Sequence, residues 1–167
     1  IAVAGSLLGI SLHDNVSYPV GKVDEIHMYP MSFEEFLLAK GENEIYKSVE
    51  ARDYDTTNIV HEKLVELLRQ YYYVGGMPEA VKKYVETGAL QAVRRIHNRI
   101  LSGYDIDFSK HAPAEQVQRI RMVWRSIPSQ LFKENKKFIY GTLRKGARAK
   151  DFEVAVEWLH DAGLIYK

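Results

Sequence analysis

No cysteine occurs among the 167 residues, so neither a disulfide framework nor a thiolate metal site is available, and a cytoplasmic location is the expectation. Long apolar runs are also missing. None approaches the roughly 18 residues of a membrane span, no signal peptide is visible, and no membrane partner is expected. Charge of one sign is scarce as well: 23 Lys and Arg against 22 Asp and Glu leave a net charge of +1. That balance gives no global field to draw in nucleic acid or an anionic membrane, so any such binding must come from a local patch. Catalytic motifs are lacking in the same way. There is no G-x-x-x-x-G-K-[ST] loop to cradle phosphate, and no serine or histidine sits in a nucleophile motif. The six histidines form no short-spaced pair and lie near no dense carboxylate cluster, so no metal site is indicated. Glu34-Glu35 is the one adjacent glutamate pair, and capping accounts for Glu35.

What is present suits a folded chain. A hydrophobic content of 46% is enough for a real core in one ordinary domain or two small ones. The opening "IAVAGSLLGISL" reads as a buried strand breaking at Gly5-Ser6, and "KVDEIHMYP" as a half-buried strand carrying Val23, Ile26 and Met28 and ended by Pro30. At the other end Gly163 reads as a helix C-cap, with Leu164 to Tyr166 the start of a strand. Two explanations fit such ends: a fragment of a longer protein, or a short domain with a swapped or edge terminal strand.

Between these ends the pattern is helical. In "MSFEEFLLAK", Ser32 and Glu35 form a capping box and Met31 staples against Phe36. Residues 40 to 56 are polar and read as a short helix with loops. Val60, Leu64, Leu67, Leu68 and Tyr71 then follow the spacing of a helix with one buried face. In "YYYVGGMPEAV", Gly75 and Gly76 stop that helix and Pro78 suits the first turn of the next, which makes a helix corner with the tyrosines packed across it. After Gly88 a helix is expected from Ala89 to about Tyr104, with Leu90, Val93, Ile96, Ile100, Leu101 and Tyr104 along one stripe and Arg94, Arg95 and Arg99 off it. "DIDFSKHAP" reads as a linker.

From Ala114 a helix places Val117, Ile120, Val123 and Trp124 on one side, and Pro128 is expected to start a second. A basic stretch over residues 133 to 150 leads into "DFEVAVEWLHDAG", with Phe152, Ala155, Val156 and Leu159 inward. Three helices and a strand-like "LIYK" follow the order of a winged helix, with the last helix in the recognition position. Asp151, Glu153, Glu157 and Asp161 decorate that helix and would be repelled by a phosphate-lined groove, so major-groove reading is disfavoured. Lys136, Lys137, Arg144, Lys145, Arg148 and Lys150 are candidates for contact with backbone phosphates of DNA. The alternative is that they solubilise a loop and pair with those same carboxylates.

The succession "AGSLLGISL", "YPVGKVDEIHMYPMSFEEFL", "YYYVGGMPEAV" and "KKFIYGTLRKGARAKDFEVAVEWLHDAGLIYK" resembles the prokaryotic AAA-type ATPases that carry a C-terminal domain of unknown function. That resemblance implies a mostly α-helical chain. Residues 1–38 would be a short α/β remnant of the nucleotide-binding core, 39–104 a helical segment, and 105–167 the winged-helix-like start of the C-terminal domain. It transfers γ-phosphate sensing to Ser6 and a nucleotide contact to Lys22, where relatives often have arginine. ATP and magnesium would belong to a parent protein whose N-terminal ATPase core is missing here as a partner. The chain itself would have no cofactor and no ATPase activity, and would act as a regulatory or interaction region coupled to ATP binding. A nucleic-acid-binding module and a non-catalytic module for protein interaction or dimerisation are the alternatives.

Overall fold

Ser32 opens the first helix as its neighbours dictate. Its hydroxyl accepts from the Glu35 amide at 3.3 Å, and the Glu35 carboxylate accepts from the Ser32 amide at 2.7 Å, so two otherwise orphaned donors are satisfied reciprocally. Met31 packs against the cluster that contains Phe36, completing the expected staple. The computed structural model describes Ile26, residues 28–134 and residues 137–166, and among them there are eight α-helices and no strand. The predominance of helix agrees with the sequence reading.

Among the described residues, those from Ile26 to Leu101 form one compact unit and those from Ser102 onward another. In the first, α1 (Phe33–Ala39), α2 (Asn43–Glu50), α3 (Tyr54–Ile59), α4 (His61–Val74) and α5 (Pro78–Thr87) come in order. Phe36, Val74, Ala80, Val81 and Val93 share one buried cluster, while Leu37, Ile45 and Leu67 share another. The stretch read as polar loops with a short helix holds two short helices, the second capped by Asp53, which accepts from the Thr56 amide at 3.1 Å. Hydrogen bonds from the Thr56 hydroxyl and amide hold the Asp53 carboxyl below its usual range.

The α4–α5 corner forms as expected, and its two glycines serve different ends. Gly75 has φ +69° and ψ −174°, a conformation nearly reserved for glycine. Gly76 lies so close to residues 30 and 31 that a side chain would collide with the Met31 backbone, and its carbonyl accepts from the Met31 amide at 2.7 Å. Tyr71 packs its ring on Phe33 and Phe36, at 5.6 and 5.5 Å between centroids, and donates its hydroxyl to the Met31 carbonyl at 2.7 Å. Tyr72 and Tyr73 face solvent, so one tyrosine of the three does the packing.

Several expectations are corrected. Ile26 and residues 28–30 are not strand, and Ile26 and Met28 are exposed; residues 1–25 and 27 of the expected remnant lie outside the described residues. The linker expected at residues 105–113 is mostly helix, because α6 (Leu90–His111) runs on through it. Phe108 explains the continuation: four residues beyond Tyr104, it is fully buried with edge-on contacts to Trp124 and Trp158. Leu90 and Leu101, placed on the buried stripe of that helix, are substantially exposed.

In the second unit, α7 (Val117–Leu131) also runs on where a break is expected, with Pro128 inside it. The missing N–H falls in the last turn, and continuing the helix keeps Gln130 buried together with Ile120 and Val123. α8 (Ala149–Asp161) buries Phe152, Ala155, Trp158 and Leu159. No wing follows it. Gly163, at φ +68°, donates to the His160 carbonyl, and Leu164 reaches back to the Leu159 carbonyl. These are the two bonds of a Schellman turn, and Leu164 and Ile165 then pack against the core.

Candidate nucleic-acid interface

The segment between α7 and α8 contains no acidic residue from Lys137 to Lys150. Its apolar residues fix it in place: Phe138, Tyr140, Leu143 and Ala147 pack against the core formed by Phe108, Ile120, Val123 and Phe152. Phe138 and Tyr140 meet edge to face, with centroids 5.0 Å apart. A 3-10 turn, Tyr140–Thr142, follows, and the left-handed Gly146 (φ +78°) reverses the chain ahead of α8.

One buried amide holds the segment to α7. The Gln130 side chain accepts from the Ile139 amide at 2.9 Å and donates to the Ile139 carbonyl and the Thr142 hydroxyl, each at 3.1 Å. Such a network orders the backbone, because breaking it would strand polar groups in the interior. The cations therefore project from a braced support.

Lys137, Arg144, Lys145, Arg148 and Lys150 are all exposed, whereas Lys136 lies outside the described residues. Arg144 stands 3.9 Å from Asp151, a loose pair of the kind the solubilising alternative expects. Lys145, Arg148 and Lys150 make no ion pair among the described residues. The Asp151 carboxylate also accepts from the Arg148 amide at 3.1 Å, so it caps α8. Glu153, Glu157 and Asp161 are exposed along the helix, as their spacing indicates.

Ser6 and Lys22, the expected nucleotide-sensing positions, lie outside the described residues. Arg94, Arg95 and Arg99 are exposed on α6, and Arg99 is paired with Glu79. Among the described residues no group of His, Asp or Glu has the arrangement of a metal site, and the His97 ring is occupied with the Val74 carbonyl at 2.9 Å. No helix among them is long and apolar enough to cross a membrane.

Two cations escaped the sequence reading. Arg121 and Arg125 sit one turn apart on α7 and share the Asp105 carboxylate, at 3.0 and 3.5 Å. Their i, i+4 spacing was visible; the carboxylate that gathers them was not, because it lies in the stretch read as linker.

The family model described as Domain of unknown function (DUF8612) matches residues 65–167. No curated protein and no solved structure matches the chain. The expected kinship with prokaryotic AAA-type ATPases is overturned by this outcome, since no AAA or ATPase family model matches. The expectations of ATP, magnesium and a missing ATPase core rested on that kinship.

Proposed function

For a chain that belongs to the family described as Domain of unknown function (DUF8612), we propose a role in holding the phosphate backbone of nucleic acid, without base readout, through the segment from Lys137 to Lys150. The observation that carries this reading is the acid-free run of exposed cations on a backbone braced by Gln130. Cations on an ordered support lose less freedom on meeting phosphates than cations on a loose one. The acidic face of α8 argues against groove insertion, so contact stays at the sugar–phosphate level.

The test is fluorescence anisotropy with a labelled DNA duplex at 50 and 200 mM salt. Neutralising three to five phosphates gives a slope of log affinity against log salt of about −2.7 to −4.5. Reversing Arg144, Lys145 and Arg148 to Glu together should abolish measurable binding and flatten that slope. If the triple variant binds as tightly as the parent chain, the reading is lost.

A second reading rests on Leu131 and Phe132, which end α7 with 67% and 92% of their surfaces exposed. Two adjacent large apolar side chains in water favour a protein contact, including a second copy of the chain. It predicts a mass by light scattering that rises with concentration and stays monomeric when Phe132 is changed to Ser. A parent chain that remains monomeric at high concentration removes self-association.

A further inference from the structure

An open groove of about 540 Å³ runs along the first turns of α7, lined by Ala114, Val117, Gln118, Arg121, Met122 and Arg125. Among the described residues no carboxylate is part of its lining. One wall offers guanidinium and amide donors, and the rest is aliphatic or thioether surface.

Arg121 is held before any ligand arrives. Its Nε donates to the Asp105 carboxylate at 3.0 Å, and its Nη2 donates to the Asp105 carbonyl at 3.1 Å and to the Ser109 hydroxyl at 2.7 Å. These three bonds fix the plane of the guanidinium while its Nη1 makes none of them. Arg125 approaches the same carboxylate at 3.5 Å and is 71% exposed. Two cations against one carboxylate leave the pair with one positive charge in excess. A fixed fork beside a movable one suits a planar or tetrahedral anion, because the ordering cost falls on one side chain only.

We infer that this groove is a binding site for a small organic anion: a phosphate or carboxylate group joined to a compact apolar body. The anionic group would meet Arg121 and Arg125, and the apolar body would lie on Met122 and Val117. The lining is more polar than apolar, so the fixed guanidinium would set the ligand's orientation and the small apolar patch would add contact. The site is separate from the basic segment and does not depend on the nucleic-acid reading.

The test is an amide chemical-shift titration of the 167-residue chain with phenyl phosphate, benzoate, inorganic phosphate and phenylguanidine. Phenyl phosphate or benzoate should shift the amides of residues 117–125, and should bind about tenfold more tightly than inorganic phosphate, which lacks the apolar body. Arg125→Gln removes an exposed side chain that no core residue needs, and should weaken that binding about tenfold with the fold intact. The variant reversed at Arg144, Lys145 and Arg148 should keep the α7 shifts. The inference is overturned by any of four results: no α7 shifts with either aryl anion, equal binding of inorganic phosphate, equal binding of phenylguanidine, or undiminished binding by Arg125→Gln.

Discussion

Phe108→Ala is expected to cost the unit from Ser102 onward about 3–5 kcal/mol, the range for emptying a buried aromatic site. Phe108 is fully buried, and its ring stands 5.8 Å from Trp124 and 5.7 Å from Trp158, edge-on to both. Removing it deletes two aromatic contacts and opens a cavity between helices that cannot easily collapse around it. A loss of that size is a large share of the stability of a small domain. The readout comes with the structure: Trp124 and Trp158 are the chain's two tryptophans, so fluorescence during urea unfolding follows this unit. Phe108→Leu, which keeps most of the volume, should cost less than about 1.5 kcal/mol. A cost below about 1 kcal/mol for the alanine variant would show that Phe108 does not carry this core.

Gly76→Ala should destabilise the first unit by about 2–3 kcal/mol, at the upper end of the range for overpacking. The new methyl would overlap the Met31 carbonyl oxygen and stand 2.8 Å from the Met31 nitrogen and 3.0 Å from Pro30 Cβ. Backbone, not a flexible side-chain tip, would have to yield. The 2.7 Å bond from the Met31 amide to the Gly76 carbonyl goes with it. Gly75→Ala makes a useful contrast, since a methyl there meets nothing within 4 Å. Its cost, about 1–3 kcal/mol, comes from the backbone conformation alone. Hydrogen exchange separates the two: Gly76→Ala should expose the Met31 amide, whereas Gly75→Ala should leave it protected in the folded state. Unchanged Met31 protection and an unchanged melting temperature in Gly76→Ala would contradict the close approach.

Local signals were the legible ones. Ser32 with Glu35, Gly75-Gly76 before Pro78, and Gly163 at the end of α8 each act within a few residues, and each did what its chemistry predicts. The buried face of α8 was legible from the spacing of Phe152, Ala155 and Leu159. Long-range partners were not. Asp105 and Asp107 made the end of α6 look like a linker because the cations that meet Asp105 come from α7. Pro128 looked like a helix start because nothing nearby shows that Gln130 must stay on the buried face. Leu164 to Tyr166 are not strand, because the turn at Gly163 lays Leu164 and Ile165 against the core. At the candidate interface the cations could be read from the sequence, but the amide that braces their backbone could not: Gln130 is separated from Ile139 and Thr142 by a stretch with no regular pattern.

The hydroxyl that Tyr71 donates to the Met31 carbonyl also makes the α4–α5 corner a proton-linked element. Burial, followed by the nearby charges of Glu34 and Glu35, pushes that hydroxyl above its ordinary value. Folding therefore retains a proton that the unfolded chain gives up once the pH passes the ordinary tyrosine range. The stability this adds is complete below that range and drains away as pH rises through the folded value, since the folded state then binds more protons than the unfolded one. Alkali would loosen the first unit at the point where residues 30 and 31 cross the glycine pair.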